Sequence, residues 1–297
     1  MQNGKNEPES DKEQITQGMS STQCSESCQE RLQNIKEIYN EQLSPTAVYL
    51  AYDVVYEKQV IIKKIFKNKL DNYQLEQARL ESFISCNLSH FNLCKGYAQY
   101  ENNEEIGIFM EFVNDADYFV EKIENNHQVI KNELKLKSYI IDILKGLQKI
   151  HQEGYAHLDI KLSNLYCVQK QQNDIRRVKV ADFGLCHKID KETGLAFIKY
   201  NCGTLGYKSP EVKDNSYVSQ NADMWSLGIV LYMMVCAYKP DQIKGYKYGS
   251  GPIPFRVFDW KNKSVLLKQF VEKLLRYDWK ERITCEEALK DPWFQQE

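Results

Sequence analysis

The sequence predicts an α+β chain of two unequal lobes: a small, mainly antiparallel β-sheet lobe with one main helix, then a larger, mainly helical lobe. Three observations carry this expectation. Residues 47–52 and 59–66 are rich in β-branched and aromatic side chains, which suit a pleated, half-buried surface. Residues 93–100 and 106–113 have the same character. Beyond residue 113 the apolar side chains recur at helical spacing instead.

Each element follows from its local pattern. The strand region opens at Ile35, and residues 53–58 hold the turn between the first two clear strands. Residues 73–88 read as a helix with Leu75, Ala78, Leu80, Phe83 and Ile84 on its apolar side. A polar turn at 101–105 separates the next two strands. Residues 134–152 carry Leu134, Tyr139, Ile140, Ile143, Leu144, Leu147 and Ile150 at helical spacing. Residues 219–238 and 263–277 read as further helices, and a last short one begins at Glu286. The longest apolar stretch, 227–238, is shorter than the roughly 20 residues that span a bilayer, so it reads as a buried core helix. The folded domain is expected over 33–297, with lobes at 33–112 and 113–297 and a ligand cleft where they meet near 111–117. Residues 1–32 are dominated by Gln, Glu, Ser, Asn and Lys, and are expected to form a disordered tail.

Composition excludes some classes of function. A net charge of −2 gives no general attraction to nucleic acid or to an anionic membrane. The polar N-terminus lacks the apolar run of a signal peptide, so an intracellular protein, cytoplasmic or nuclear, is expected. Nine cysteines without a paired framework read as thiols in a reducing compartment. Cys24 and Cys28 have no second pair at zinc spacing. The chain ends soon after Trp293, so no C-terminal calmodulin-binding or lipid-binding module is expected.

The chemistry concentrates in two loops. His-Leu-Asp-Ile-Lys-Leu-Ser-Asn at 157–164 places an acid beside a Lys and an Asn, and Asp-Phe-Gly follows at 182–184. Together they supply a base for a hydroxyl, a cation for a phosphate and two oxygen ligands for a hard metal. The two strings resemble the catalytic loop and metal loop of eukaryotic-type protein kinases, and the resemblance extends over about residues 33–296. It implies the bilobal kinase fold, ATP and Mg²⁺ as cofactors, and a protein Ser/Thr hydroxyl as acceptor. Asp159 is then the base, Lys161 neutralises the γ-phosphate, and Asn164 and Asp182 hold Mg²⁺. Val-Ile-Ile-Lys at 60–63 resembles the strand motif whose lysine, here Lys63, contacts phosphates and pairs with a helix Glu. Glu81 fits that partner by its distance from the turn at 88–93; Glu76 is the alternative. The resemblance also puts Val48, Met110, Glu111, Val113, Asp117 and Tyr166 around the nucleotide. Gly-Thr-Leu-Gly-Tyr-Lys-Ser-Pro-Glu at 203–211 resembles the peptide-docking end of the activation segment. It implies that Thr204 bonds Asp159 and Lys161, that Glu211 pairs with Arg282, and that Asp223 caps the catalytic loop. The lysine at 161 and the Gly-Thr-x-x-Tyr pattern look like the serine/threonine branch.

The sequence departs from that family at named points. Aligned on Val48, the three glycines of the nucleotide loop fall on Glu41, Leu43 and Thr46, where Cβ atoms crowd a phosphate. Pro45 has no N–H to donate, and Glu41 adds negative charge. Ile61 and Tyr166 add bulk around the base; a Tyr face also suits stacking on adenine. Leu158 replaces the Arg that meets an activation-loop phosphate, and Tyr200 occupies the position where many relatives carry a phosphorylated Thr. Activity independent of such a phosphate is expected. The reading is an active serine/threonine protein kinase, with no nucleic-acid or membrane partner; the alternative is a pseudokinase or scaffold with weak or no turnover. Residues 239–262 match no usual family connection and are expected to form a variable surface loop.

Overall fold

A computed structural model of the chain describes residues 31–169, 176–200, 202–214, 216–248 and 250–295. The expected tail, apart from its last two residues, and the Cys24–Cys28 pair lie outside them. The first lobe is a five-stranded antiparallel sheet in the order β1-β2-β3-β5-β4. Its strands are β1 (Leu32–Asn40), β2 (Thr46–Asp53), β3 (Lys58–Phe66), β4 (Gly96–Glu101) and β5 (Glu105–Glu111). One helix, α1 (Asn72–Asn87), crosses it. Asp71 caps α1, accepting from Gln74 N at 2.8 Å while the Gln74 side chain returns to Asp71 N, a reciprocal capping box.

Three features of this lobe differ from the sequence reading. The strand expected over 93–100 begins only at Gly96. Leu93 instead bridges Val180, and Cys94 N donates to Val180 O, so this stretch pairs with the second lobe. Phe83, expected on the apolar side of α1, is exposed; the buried face is Ala78, Glu81, Ser82, Ile84 and Ser85. Strand β4 approaches the end of this helix so closely that a Cβ at Gly96 would lie 2.6 Å from Ser85 O. The strand expected over 106–113 ends at Glu111, and Val113 falls in the connection.

The second lobe is built on two long helices, α2 (Glu133–Gln152) and, after the short α3 (Pro210–Asp214), α4 (Asn221–Cys236). Helix α2 buries Leu136, Tyr139, Ile140, Ile143, Leu144, Leu147 and Ile150 on one side. Leu134, counted with that face in the sequence, is exposed, because it lies in the first turn. Helix α4 is buried on every side from Ala222 to Cys236, which explains its unbroken apolar run. No helix among the described residues is long and apolar enough to cross a membrane. The lobe is not wholly helical: β6 (Tyr155–Ala156), the hairpin β7 (Leu165–Gln169) with β8 (Arg176–Val180), and β9 (His187–Lys188) frame the two chemical loops.

The segment 239–262, expected as a surface loop, is anchored to the core. Trp260 is fully buried against Tyr232, and Tyr248 packs edge-on against Trp225 of α4 with ring centroids 4.9 Å apart. Arg282 reaches under α4 and bonds Glu211 through both guanidinium nitrogens, at 2.5 and 2.9 Å, with both residues buried. Removing one partner of such a pair would strand a charge at a cost of about 3–5 kcal/mol.

Candidate active site

The site lies where β3, α1 and the loops after β6 and β8 converge. Lys63 leaves β3 opposite Val48 of β2 and Ile108 of β5. Its Nζ lies 2.5 Å from Glu81 Oε1 and 2.8 Å from Asp182 Oδ1. Of the two candidate acids on α1, Glu81 is the one in reach; Glu76 is exposed and pairs with Arg79. Burial by itself would lower the Lys63 pKa, but Asp182 and then Glu81 raise it well above its ordinary value. Lys63 in turn holds Asp182 down to about 2, so that carboxylate stays ionised. The buried Glu81 is shifted upward by desolvation, against the pull of Lys63. A side chain at position 184 would intrude here, since a Cβ on Gly184 would lie 3.2 Å from Glu81 Oε2.

Asp159 is held as a ring of donors requires. Its Oδ1 accepts from Thr204 N at 3.0 Å and Thr204 Oγ1 at 2.7 Å. Its Oδ2 meets Lys161 Nζ at 2.8 Å and Asn164 Nδ2 at 3.1 Å. Lys161 Nζ also donates to Thr204 Oγ1 at 2.9 Å. The loop is fixed from below by Asp223 of α4, which accepts from His157 N and Leu158 N at 2.8 and 2.7 Å and pairs with His151 at 2.8 Å. His157 Nδ1 accepts from Asp159 N, so its Nε2–H donates to Ala181 O and joins the two loops. Leu158 and Asp182 both have φ of 62°, the left-handed region that costs a non-glycine residue about 1–3 kcal/mol. Strain at these two positions is sustained by the surrounding bonds, and it sits where the chemistry would be.

The remaining residues lie on β5, in the connection between the lobes and on β7. Met110 and Glu111 end β5, opposite Ile61 and Val60. Glu111 Oε1 takes Lys179 Nζ at 2.5 Å and Lys95 N at 2.7 Å, so its side chain is spent on structure. Val113 is buried in the connection between lobes, and Asp117 is exposed beyond it. Tyr166, on β7, is half-buried. Burial raises its hydroxyl pKa well above the ordinary value, with Cys94, Asp182 and Asp117 adding to the rise and Lys63 opposing it. The glycine-free turn between β1 and β2 leaves Leu43 almost wholly in solvent. Its backbone oxygens at Gln42 and Ser44 are both taken by Lys69 Nζ at 2.8 Å. This lysine was not singled out in the sequence, and only its approach to the turn reveals it.

Asn164 and Asp182 suit a hard divalent cation. Asn164 commits its Nδ2 to Asp159, which leaves the amide oxygen, and Asp182 commits one carboxylate oxygen to Lys63. An amide oxygen and a carboxylate are ligand types that Mg²⁺-like ions take alongside phosphate oxygens and water.

A Lys–Glu pair reaching from sheet to helix, an acid ringed by Lys, Thr and Asn, and a second acid on a Phe-Gly loop thus come together in a two-lobed fold. A family model for the protein kinase domain matches residues 44–294, and the chain belongs to the protein kinase family. It is 32% identical over 247 residues to the serine/threonine-protein kinase DCLK3 of Mus musculus, covering 81% of this chain and 30% of that protein. It is 30% identical over 223 residues to myosin light chain kinase family member 4 of Homo sapiens, covering 73% of this chain and 55% of that one. A probable serine/threonine-protein kinase, fhkE of Dictyostelium discoideum, is 29% identical over 221 residues, covering 70% of this chain and 30% of that protein. The chain therefore spans well under two thirds of the length of these relatives. A protein kinase domain implies ATP and a divalent metal.

Proposed function

We propose that this chain is an active serine/threonine protein kinase over residues 33–297, transferring the ATP γ-phosphate to a protein hydroxyl in the cleft between lobes 33–112 and 113–297. The observation that carries this reading is Lys63 bonded at once to Glu81 and Asp182. That contact sets a phosphate-binding cation and a metal-binding carboxylate side by side. Asp159 accepts the hydrogen bond of the incoming hydroxyl and then its proton; Thr204 and Asn164 aim the carboxylate. Lys161 neutralises charge on the transferred group, and Lys63 orients the phosphates that stay behind. Asn164 and Asp182 would hold Mg²⁺, which would supply charge neutralisation for the phosphates. Val48, Met110, Val113 and Tyr166 enclose the base, the backbone of Glu111 and Val113 offers it hydrogen-bonding groups, and Asp117 faces the sugar.

A thermal-shift titration with Mg²⁺-ATP tests the nucleotide half of this reading. Ligand at 100 times its Kd stabilises by about 2.7 kcal/mol, so the wild-type chain should shift upward and Lys63→Met should not. Equal shifts in both would count against the site.

One observation favours a second reading, a scaffold or pseudokinase. The β1–β2 turn brings no glycine to the phosphates. Nucleotide binding without transfer to any protein would select it.

A further inference from the structure

The activation segment is joined to α1 by a cluster that the reaction itself does not use. Tyr200, about half exposed, donates its hydroxyl to Asp71 Oδ2, on the residue that caps α1. Tyr73, in the first turn of α1, donates its hydroxyl to His187 Nε2 at 2.8 Å and accepts from Lys199 N at 3.2 Å. The direction of the first bond is fixed, because His187 Nδ1–H is committed to Leu185 O at 2.9 Å. The rings of Tyr73 and Tyr200 meet edge to face with centroids 5.7 Å apart. Lys199 Nζ lies 4.9 Å from the Tyr200 ring centroid and 3.6 Å from Asp71 Oδ2. Helix α1 carries Glu81, and the segment begins at Asp182. The cluster thus closes a circuit: Lys63 to Glu81, along α1 to Asp71 and Tyr73, across to Tyr200 and His187, and back along the chain to Asp182.

We propose that Tyr200 is a positioning residue: its unmodified hydroxyl, seated on Asp71, locks the activation segment to the start of α1 and so keeps Glu81 on Lys63. It rests on the phosphotransfer reading for its effect on rate, but the lock itself is a property of the fold. A neutral hydroxyl on a carboxylate needs no modifying enzyme and no arginine at position 158. Leu158 is correspondingly turned to other use, buried among Ile189, Ala196, Ile198, Cys202 and Val212. The Asp71 carboxyl is held below the usual range, first by Tyr200 and then by the cap bond from Gln74, so it is charged and ready to accept.

The test is Tyr200→Phe in the full chain, which removes the hydroxyl and leaves the ring contact. Two readouts are taken: hydrogen exchange of the amides at 72–76, and kcat with KM for a Ser-containing peptide. Losing a hydrogen bond to a carboxylate at a solvent-facing site should speed exchange and lower kcat roughly fivefold, with KM for the peptide changed by less than about twofold. In a Glu81→Gln background the same substitution should speed exchange but not lower kcat further, because the lock acts through Glu81. Unchanged exchange at 72–76 would overturn the proposal. So would an equal loss of kcat with and without Glu81. A wild-type chain that transfers no phosphate would refute the kinase reading, and exchange alone would then decide whether the lock exists.

Discussion

The backbone N–H of Leu158 donates to the Asp223 carboxylate at 2.7 Å, and this bond holds Leu158 in a left-handed conformation with φ of 62°. One buried acid on α4 thereby shapes the loop that carries Asp159. Asp223→Ala would leave the His157 and Leu158 amides without their acceptor and release the strained turn. Stability should fall by about 3 kcal/mol, read as a lowered denaturant midpoint with unchanged slope. Asp223→Asn, which keeps one acceptor oxygen, should lose less.

Leu158 packs its side chain into a small apolar cluster with Ile189, Ile198 and Cys202, so it cannot be exchanged for the family's usual arginine. Leu158→Arg buries a guanidinium among apolar groups and should destabilise the chain by about 3 kcal/mol or more. Phosphatase treatment of the wild-type chain should leave its phosphate-transfer rate unchanged. Loss of activity on dephosphorylation would show that a phosphate does the work assigned here to the cluster and to Tyr200.

Tyr166 offers a test of the nucleotide pocket. If its ring crowds the base, Tyr166→Leu should tighten Mg²⁺-ATP binding by about tenfold, since overpacking costs of this kind run to about 1–3 kcal/mol. Weaker binding after the change would instead assign the ring to stacking on adenine. Calorimetric titration of both proteins distinguishes the two.

His187 links α1 to the activation segment as a neutral ring, and burial lowers its pKa from the ordinary 6.5. As pH falls below 6.5 the unfolded chain takes up this proton first, so stability should be level above that point and decline below it. His90, also lowered chiefly by burial, adds to the same decline. His187→Gln should make it shallower, measured as denaturation midpoint against pH.

The lobes and the residues gathered at the candidate site were legible because local pattern decides them: β-branched runs, helical spacing, and acids at fixed places in two short strings. What escaped depended on distant partners. Phe83 looked like a core residue but lies on the exposed side of α1, whose buried face is Ala78, Glu81, Ser82, Ile84 and Ser85. Residues 93–95 looked like the start of a strand, but Leu93 and Cys94 meet Val180 of the other lobe while Lys95 O accepts from Glu111 N. Leu158 reads in the sequence as the loss of a phosphate contact, while its gain, an apolar cluster, comes largely from residues within the activation segment, Ile189, Ala196, Ile198 and Cys202. Tyr200 meets an acid 129 positions away, and no spacing rule connects them.

The most direct measurement is transfer of labelled phosphate from Mg²⁺-ATP to a generic protein substrate, followed by identification of the labelled residue. The wild-type chain should label serine or threonine, and Asp159→Asn should lower the rate at least about a hundredfold, as expected when a positioned base is removed. Equal transfer by the two proteins would contradict the role of Asp159, and no transfer by either, with nucleotide bound, would contradict the reading of this chain as an active kinase.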